Sequence, residues 1–323
     1  MSTDLITYLV FGAVLLVALV FDLGLLSKKN KIITIRQSLW QTLFWVLLGM
    51  GFFGFVWFEQ GKVSAFEYLS AYLMEWSLSV DNIFVFILIF SSFGVKEKFI
   101  PRVLLIGIMM AVIMRVIFIT VGVVLVEKFS WILYLFGAFL VYTGYKMFTA
   151  DEDESFDPHE SKIYRMLKKF LPLVANDGDG RYIVRKSGKP YYTSLFVVVV
   201  MLAAIDLVFA LDSIPAVMGI SKDALIIYTS NIFAVLGLRS LFFLLRGAVD
   251  KFDYLQQGIA IVLVFIGVKM LAEKLIHNYV DKGTMIGISL GVIVLCISGS
   301  IWYSVKHKKK GTPPEREDGS IDL

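Results

Sequence analysis

Acidic and small polar residues stand inside a long, largely apolar stretch of this sequence. Glu75 is followed six residues later by Asp81, and Asn82 comes next, in a segment that runs from Phe66 to Phe93. A carboxylate near the centre of a membrane helix costs roughly 2.5–3.5 kcal/mol on insertion scales. Something must offset that cost, either a basic side chain or a bound cation.

A second apolar stretch repeats the pattern. Asp206 is followed six residues later by Asp212 and then by Ser213, which stands where Asn82 stands in the first copy. Together the four acids cost about 10–14 kcal/mol before any partner is counted. Pro215 has no N–H, so it leaves a main-chain carbonyl next to Asp212 without its helical donor and predicts a break in the helix there.

These groups offer only oxygen atoms to a ligand. Carboxylates, an amide, a hydroxyl and a free carbonyl suit hard cations such as Mn²⁺, Ca²⁺ or Mg²⁺. The candidate metal ligands are Glu75, Asp81, Asn82, Asp206, Asp212, Ser213 and Asn231. For Asn231 the alternative role is an interhelical hydrogen bond. The alternative for the acids is a purely structural role, in which they form buried ion pairs that only fix the contacts between helices. The bases available for such pairs are Arg115, Arg239, Lys146 and Lys269.

The composition is that of a polytopic membrane protein. Hydrophobic residues make up 58% of the 323, and the mean hydropathy is +0.76, well outside the range of soluble domains. The single cysteine, Cys296, allows no disulfide within the chain and no cysteine metal site. No nucleophile with a base, phosphate loop or cofactor motif is present, so we expect neither an enzyme nor a permanently bound cofactor. The net charge of +4 requires no nucleic-acid partner.

The sequence predicts an all-α protein with about nine transmembrane helices, because nine apolar runs reach about 20 residues. They lie near 5–26, 38–58, 66–93, 100–126, 131–149, 193–219, 224–246, 255–275 and 284–305. The short connections on one side, together with the start of the tail, carry thirteen Lys and Arg, and the connections on the other side carry five. The positive-inside rule then predicts a multi-pass protein of the cell membrane with its N-terminus outside and its C-terminus in the cytoplasm.

The helices divide the chain into five segments. Residues 1–62 hold two helices, 63–149 a first unit of three, 150–192 a cytoplasmic loop, 193–276 a second unit of three, and 277–323 the last helix and a basic tail. At the end of the loop, two short strands are predicted around a turn at Ser187 and Gly188.

The two three-helix units resemble each other beyond their acidic motifs. Residues 140–147 and 263–270 are identical at five of eight positions, and similar segments end at Arg115 and Arg239. Because each unit has three helices, the second copy must enter the membrane from the other side. The sequence therefore predicts an inverted repeat of helices 3–5 and 6–8, an architecture that places substrate sites near the midplane.

Helical geometry does not aim both acids of one motif at the same point. Six residues put Glu75 and Asp81 about 120° apart, whereas Glu75 and Asn82 fall nearly in line. Either helix 3 unwinds there, or Asp81 and Asp212 make the central site. In the second case Glu75 and Asp206 line the route of the cation or bind Arg115 and Arg239.

With these motifs the chain resembles the TerC family of membrane proteins, and within it the Alx-like branch. The resemblance rests on residues 75–82, 209–216, 229–239 and 265–270. It implies paired three-helix repeats like those of LysE-type exporters, and it implies Mn²⁺ efflux. Many members carry Glu where this chain has Ala203, a departure that bears on metal selectivity or coupling.

The expected function is therefore export of Mn²⁺ by alternating access around midplane carboxylates, with Mn²⁺ as a transported substrate. Proton exchange is the simplest coupling, because carboxylates that release a metal can take up protons. The expected partners are the divalent cation and the lipid bilayer. The alternative is a membrane assembly or metal-loading partner of the secretion machinery, with the 150–192 loop as its working surface.

Overall fold

The computed structural model describes residues 9–17, 33–149, 158–174, 176–186, 189–246, 254–276 and 279–306. The side chain of Asp81 lies outside this description, although its backbone is helical. The acidic residues 151–154, the turn at 187–188 and the tail beyond residue 306 lie outside it as well.

The described chain is almost entirely helical. Its helices are α1 (residues 9–17), α2 (Ile35–Gln60), α3 (Lys62–Ser92), α4 (Ile100–Lys128), α5 (Ile132–Thr149), α6 (Lys162–Phe170), α7 (Ser194–Ile220), α8 (Ala224–Leu245), α9 (Leu255–Leu271), α10 (Glu273–Ile276) and α11 (Lys282–Lys306). One antiparallel hairpin joins β1 (Ile183–Lys186) to β2 (Lys189–Tyr192).

Seven helices of the described part are long and apolar enough to cross a membrane: α2, α3, α4, α5, α7, α8 and α11. The other two predicted spans correspond to α9, which has 17 residues, and to α1, of which residues 9–17 are described. The all-α polytopic class is thus confirmed, with seven candidate spans and the shorter apolar helix α9 among the described residues.

Helix α8 lies at the centre of the bundle. Nearly every side chain from Leu225 to Phe243 is buried, as expected of a helix that is apolar on all sides. It begins at Ala224 because the Asp223 carboxylate accepts a hydrogen bond from the Leu225 amide at 2.8 Å. Around α8 pack α2, α3 and α4, and α3 also contacts α7 and α11.

A single residue links α2 to α3. Gly61 has φ +88°, a left-handed conformation that glycine adopts without the clash of a Cβ. The chain therefore reverses sharply, and α3 starts directly beside the end of α2. This reversal places the acidic motif of α3 next to α8.

Helices α5 and α9 approach each other very closely. A Cβ on Gly144 would lie 2.7 Å from the main-chain oxygen of Ala260, and one on Gly267 would lie 2.6 Å from that of Gly137. Small residues allow this kind of backbone contact between membrane helices. The two helices form a tightly joined pair beside α7.

The segment between α5 and α7 folds against one end of the bundle. Leu167 of α6 is buried in the main core, and the hairpin pairs Ile183 with Tyr192, as the sequence predicts. Lys96, in the connection between α3 and α4, forms a 2.7 Å ion pair with Asp177, which lowers the pKa of that carboxyl. The segment is therefore anchored to the helices through both apolar and charged contacts.

Candidate metal centre

Arg115 of α4 is the hub of the buried polar groups. Its side chain is only 1% exposed. Its Nε and Nη2 atoms donate to the two oxygens of Asp206 at 3.1 and 3.0 Å, and its Nη1 donates to Glu75 Oε2 at 2.6 Å. The planar guanidinium matches a carboxylate with two parallel hydrogen bonds. One arginine thus joins an acid from each predicted repeat.

Two uncharged ligand candidates complete this arrangement. Arg115 Nη1 lies 3.3 Å from Ser213 Oγ and 3.2 Å from Asn231 Oδ1. The Asn231 amide nitrogen donates to the main chain of α8 at 3.0 Å, which turns its oxygen towards the arginine. We call Glu75, Arg115, Asp206, Ser213 and Asn231 the central cluster.

The central cluster carries more negative than positive charge. Two carboxylates face one guanidinium, which gives the five residues a formal charge of −1 when all are ionised. Glu75 Oε1 is buried and has no hydrogen-bond partner among the described residues. A buried charge needs full compensation, so this cluster has capacity for additional positive charge.

Regular helical geometry explains which acids meet. Helix α3 runs unbroken through its acidic motif, so the unwinding considered above does not occur. Asp206 and Ser213 are seven residues apart and share one face of α7, whereas Asp212 is turned away by about 100° from Ser213. The break predicted at Pro215 is wrong as well, since α7 continues to Ile220. A proline near the end of a long helix removes one hydrogen bond without stopping the helix.

Asp212 instead lines a separate cavity of about 250 Å³ between α3, α5, α7 and α9. Thr143 of α5 donates a hydrogen bond to Asp212 Oδ1 at 3.1 Å. Asn82 and Lys146 line the same space. We call it the Asp212 cavity. It brings together two of the predicted ligands, one from each predicted repeat.

The seven candidate ligands therefore do not form one shell. Four lie in the central cluster and two line the Asp212 cavity, while the Asp81 side chain is outside the described residues. Among the described residues, no three His, Cys, Asp or Glu side chains come close enough to hold a metal ion together. For an unbroken helix we expected Asp81 and Asp212 at the central site, with Glu75 and Asp206 on the route or bound to Arg115 and Arg239. Instead Glu75 and Asp206 both bind Arg115, and Asp212 lines the separate cavity.

The remaining basic candidates behave differently from Arg115. Arg239 of α8 is 4% exposed. Lys146 is exposed at the Asp212 cavity, and Lys269 donates a hydrogen bond to Ser289 at 3.0 Å.

Ala203, where many relatives are expected to have Glu, is buried in α7. A carboxylate at Ala203 would lie within one turn of Asp206.

Sequence reasoning missed two polar residues near these sites. Thr143 is one, because a threonine in an apolar helix carries no signal of its own. The other is Glu67, which is 2% exposed and accepts a hydrogen bond from Ser221 at 2.6 Å. It stands eight residues before Glu75, close to the start of the predicted span, where an acid resembles an ordinary interfacial residue.

A bundle of apolar helices around a buried cluster of charged groups defines a polytopic integral membrane protein. The sequence agrees, since the profile described as the integral membrane protein TerC family matches residues 60–311. The chain belongs to the TerC family. The matched range contains the whole central cluster and the Asp212 cavity.

Several relatives match along most of their length. An uncharacterized membrane protein of Rickettsia bellii is 38% identical over 302 residues, covering 94% of this chain and 98% of that protein. One from Myxococcus xanthus is 40% identical over 260 residues, with 80% and 81% covered. The putative membrane-bound redox modulator Alx of Escherichia coli K12 is 37% identical over 309 residues, with 93% and 95% covered. No solved structure gives a significant match.

Proposed function

We propose that this protein exports divalent cations, Mn²⁺ foremost, by alternating access across the cell membrane. The observation that carries the proposal is the central cluster. Four predicted ligands from α3, α7 and α8 converge on one buried positive group. Their carboxylate, amide and hydroxyl oxygens are the donors that hard divalent cations prefer.

Arg115 occupies the place that a cation would take in this cluster. When the guanidinium withdraws, Glu75 and Asp206 are left with a charge of −2, which a divalent cation matches. When the cation leaves, Arg115 returns and restores the contacts described above. The arginine thus acts as an internal competitor that keeps the acids compensated while no cation is bound.

Packing supports the inverted repeat on which alternating access depends. If α3, α4 and α5 correspond to α7, α8 and α9, a two-fold axis exchanges the α3–α8 pair with the α4–α7 pair, and both pairs are in contact. The same axis relates the contact of Gly144 with Ala260 to that of Gly267 with Gly137, at a constant offset of 123 residues. Repeats of this kind rock against each other around a midplane site.

The Asp212 cavity is the entry route in this proposal. It opens beside the end of α5 and the start of α9, the side that the positive-inside rule assigns to the cytoplasm. Asp212, Asn82 and Thr143 offer a carboxylate, an amide and a hydroxyl to an incoming cation. Asp81, the repeat counterpart of Asp212, is the expected further ligand. Proton uptake by the emptied carboxylates provides the coupling.

The name of the Escherichia coli relative points to redox modulation. This chain has one cysteine, Cys296, which is free and half-buried, so it has no second thiol for a disulfide within the chain. The donor set of the central cluster favours a cation transporter. The assembly-partner alternative would use the loop between α5 and α7 instead.

Transport by purified protein in liposomes tests the proposal. Mn²⁺ flux should be present in the wild type and lost in Asp81→Asn and Asp212→Asn, with Ca²⁺ and Mg²⁺ as competitors. Asp177→Asn is the matched control, because Asp177 lies in the loop segment and pairs with Lys96. Absence of flux in the wild type, or equal flux in all four proteins, would reject the exporter. Loss of function only on deletion of the loop would favour the assembly partner.

A further inference from the structure

A further buried carboxylate lies towards the other end of the bundle from the loop segment. Glu67, near the start of α3, is 2% exposed and lines a cavity of about 300 Å³ bounded by α3, α7, α9, α10 and α11. We call it the Glu67 cavity. Ser221, at the end of α7, donates to Glu67 Oε2 at 2.6 Å. The positive-inside rule places this end of the bundle outside the cell.

The Glu67 cavity is in register with the central cluster. Glu67 precedes Glu75 by eight residues on α3, and Ser221 follows Ser213 by eight residues along α7. Eight helical residues span about 12 Å. Because α3 and α7 run antiparallel, the layer of Glu67 and Ser221 lies about 12 Å outward of the layer where Arg115 joins Glu75 and Ser213. The acid thus lies outward of the central cluster on the same two helices, turned by about 80° from Glu75 around α3.

The charges around this cavity are balanced. Lys222 and Glu273 form an ion pair at its rim, with side chains 56% and 41% exposed, and an exposed pair of this kind opens at little energetic cost. Lys269 also lines the cavity while it donates to Ser289. Two acids and two lysines give no net charge, so a cation that reaches Glu67 is bound weakly.

We propose that Glu67 and its cavity form an exit station, a weak divalent-cation site from which the transported ion is released outward past the pair of Lys222 and Glu273. The inference rests on the proposed export function. Weak binding is what this position requires, because an ion that passes through a chain of sites must be held well enough to enter each one and loosely enough to leave. The negative charge of Glu67 then attracts the cation, and the hydrogen bond from Ser221 orients the Glu67 carboxylate.

Substitutions at Glu67 separate charge from hydrogen bonding. In Mn²⁺-loaded liposomes, Glu67→Gln should slow flux about tenfold or more because the station has lost its attraction for the ion, whereas Glu67→Asp should retain most of it. Ser221→Ala should have a smaller effect than Glu67→Gln. Equilibrium Mn²⁺ binding by the solubilised protein should be unchanged in Glu67→Gln, since the central cluster is intact. Glu127→Gln is the matched control, because Glu127 is an exposed acid at the end of α4, on the same side of the bundle.

The outcomes distinguish the two proposals. A wild type without flux overturns the export function and this inference with it. A transporting wild type with equally fast Glu67→Gln overturns the exit station alone. It is overturned as well if Ser221→Ala or Glu67→Asp slows flux as much as Glu67→Gln, because the hydrogen bond or the packing would then matter and the charge would not.

Discussion

At the scale of single residues, Arg115 is the group on which the buried acids of two helices converge. It satisfies two buried carboxylates from different helices with three nitrogen atoms. Arg239, its counterpart in the predicted repeat, is buried on α8. The sequence identified both arginines as possible partners of the acids, yet it could not show that Glu75 and Asp206 share a single one.

Replacing Arg115 by glutamine should destabilise the protein strongly. Glu75 and Asp206 would then remain buried without their counter-charge, and removal of one partner of a buried pair costs about 3–5 kcal/mol. The free energy of unfolding in mixed detergent micelles measures the loss. Arg246→Gln is the control, because Arg246 pairs with Glu97 at 3.0 Å on the surface and such pairs contribute about 1 kcal/mol or less. Similar losses in both variants would contradict the role of Arg115 as hub.

At the scale of helices, the contact between α5 and α9 depends on the absence of side chains. Gly144 and Gly267 face main-chain oxygen atoms of the opposite helix, and a main-chain atom cannot rotate away as a side chain can. The crossing explains why both helices carry a glycine at the same place in their similar segments, since each must present a small residue there. The similarity of residues 140–147 and 263–270 could be predicted from the sequence, but the direct contact between these two segments could not.

Gly267→Ala should therefore separate the two helices. Its Cβ would lie 2.6 Å from the Gly137 oxygen, and overpacking of this kind costs about 1–3 kcal/mol. Gly144→Ala should cost a similar amount. Gly291→Ala on α11 is the control, because nothing lies within 4 Å of its Cβ and alanine favours a helix. Thermal unfolding of the three variants measures the difference, and a stable Gly267→Ala protein would show that the crossing tolerates a methyl group.

For the whole molecule, composition and motif spacing were enough to predict the class and the family. Four of the seven candidate ligands lie together around Arg115, and their role as ligands stays a prediction. Periodicity also predicted that Glu75 and Asp81 diverge on a regular helix, and the separation of Asp206 from Asp212 in α7 follows the same angles. The sequence could not decide between an unbroken and an unwound α3, since that depends on packing against α8. It could not reveal the Glu67 cavity either, because the cavity is formed by residues 67, 221 and 273, which are far apart in the chain.

The orientation of the whole molecule fixes the direction of the proposed transport. Ser130 lies exposed between α4 and α5, and Glu160 lies exposed just before α6, on opposite sides of the predicted membrane. In a Cys296→Ser background, Ser130→Cys should react with a membrane-impermeant maleimide in intact cells, whereas Glu160→Cys should react only after permeabilisation. This follows because the short connections and the start of the tail on the side of Glu160 carry thirteen Lys and Arg, and the connections on the other side carry five. The reverse labelling pattern would place the Asp212 cavity outside and turn the proposed exporter into an importer.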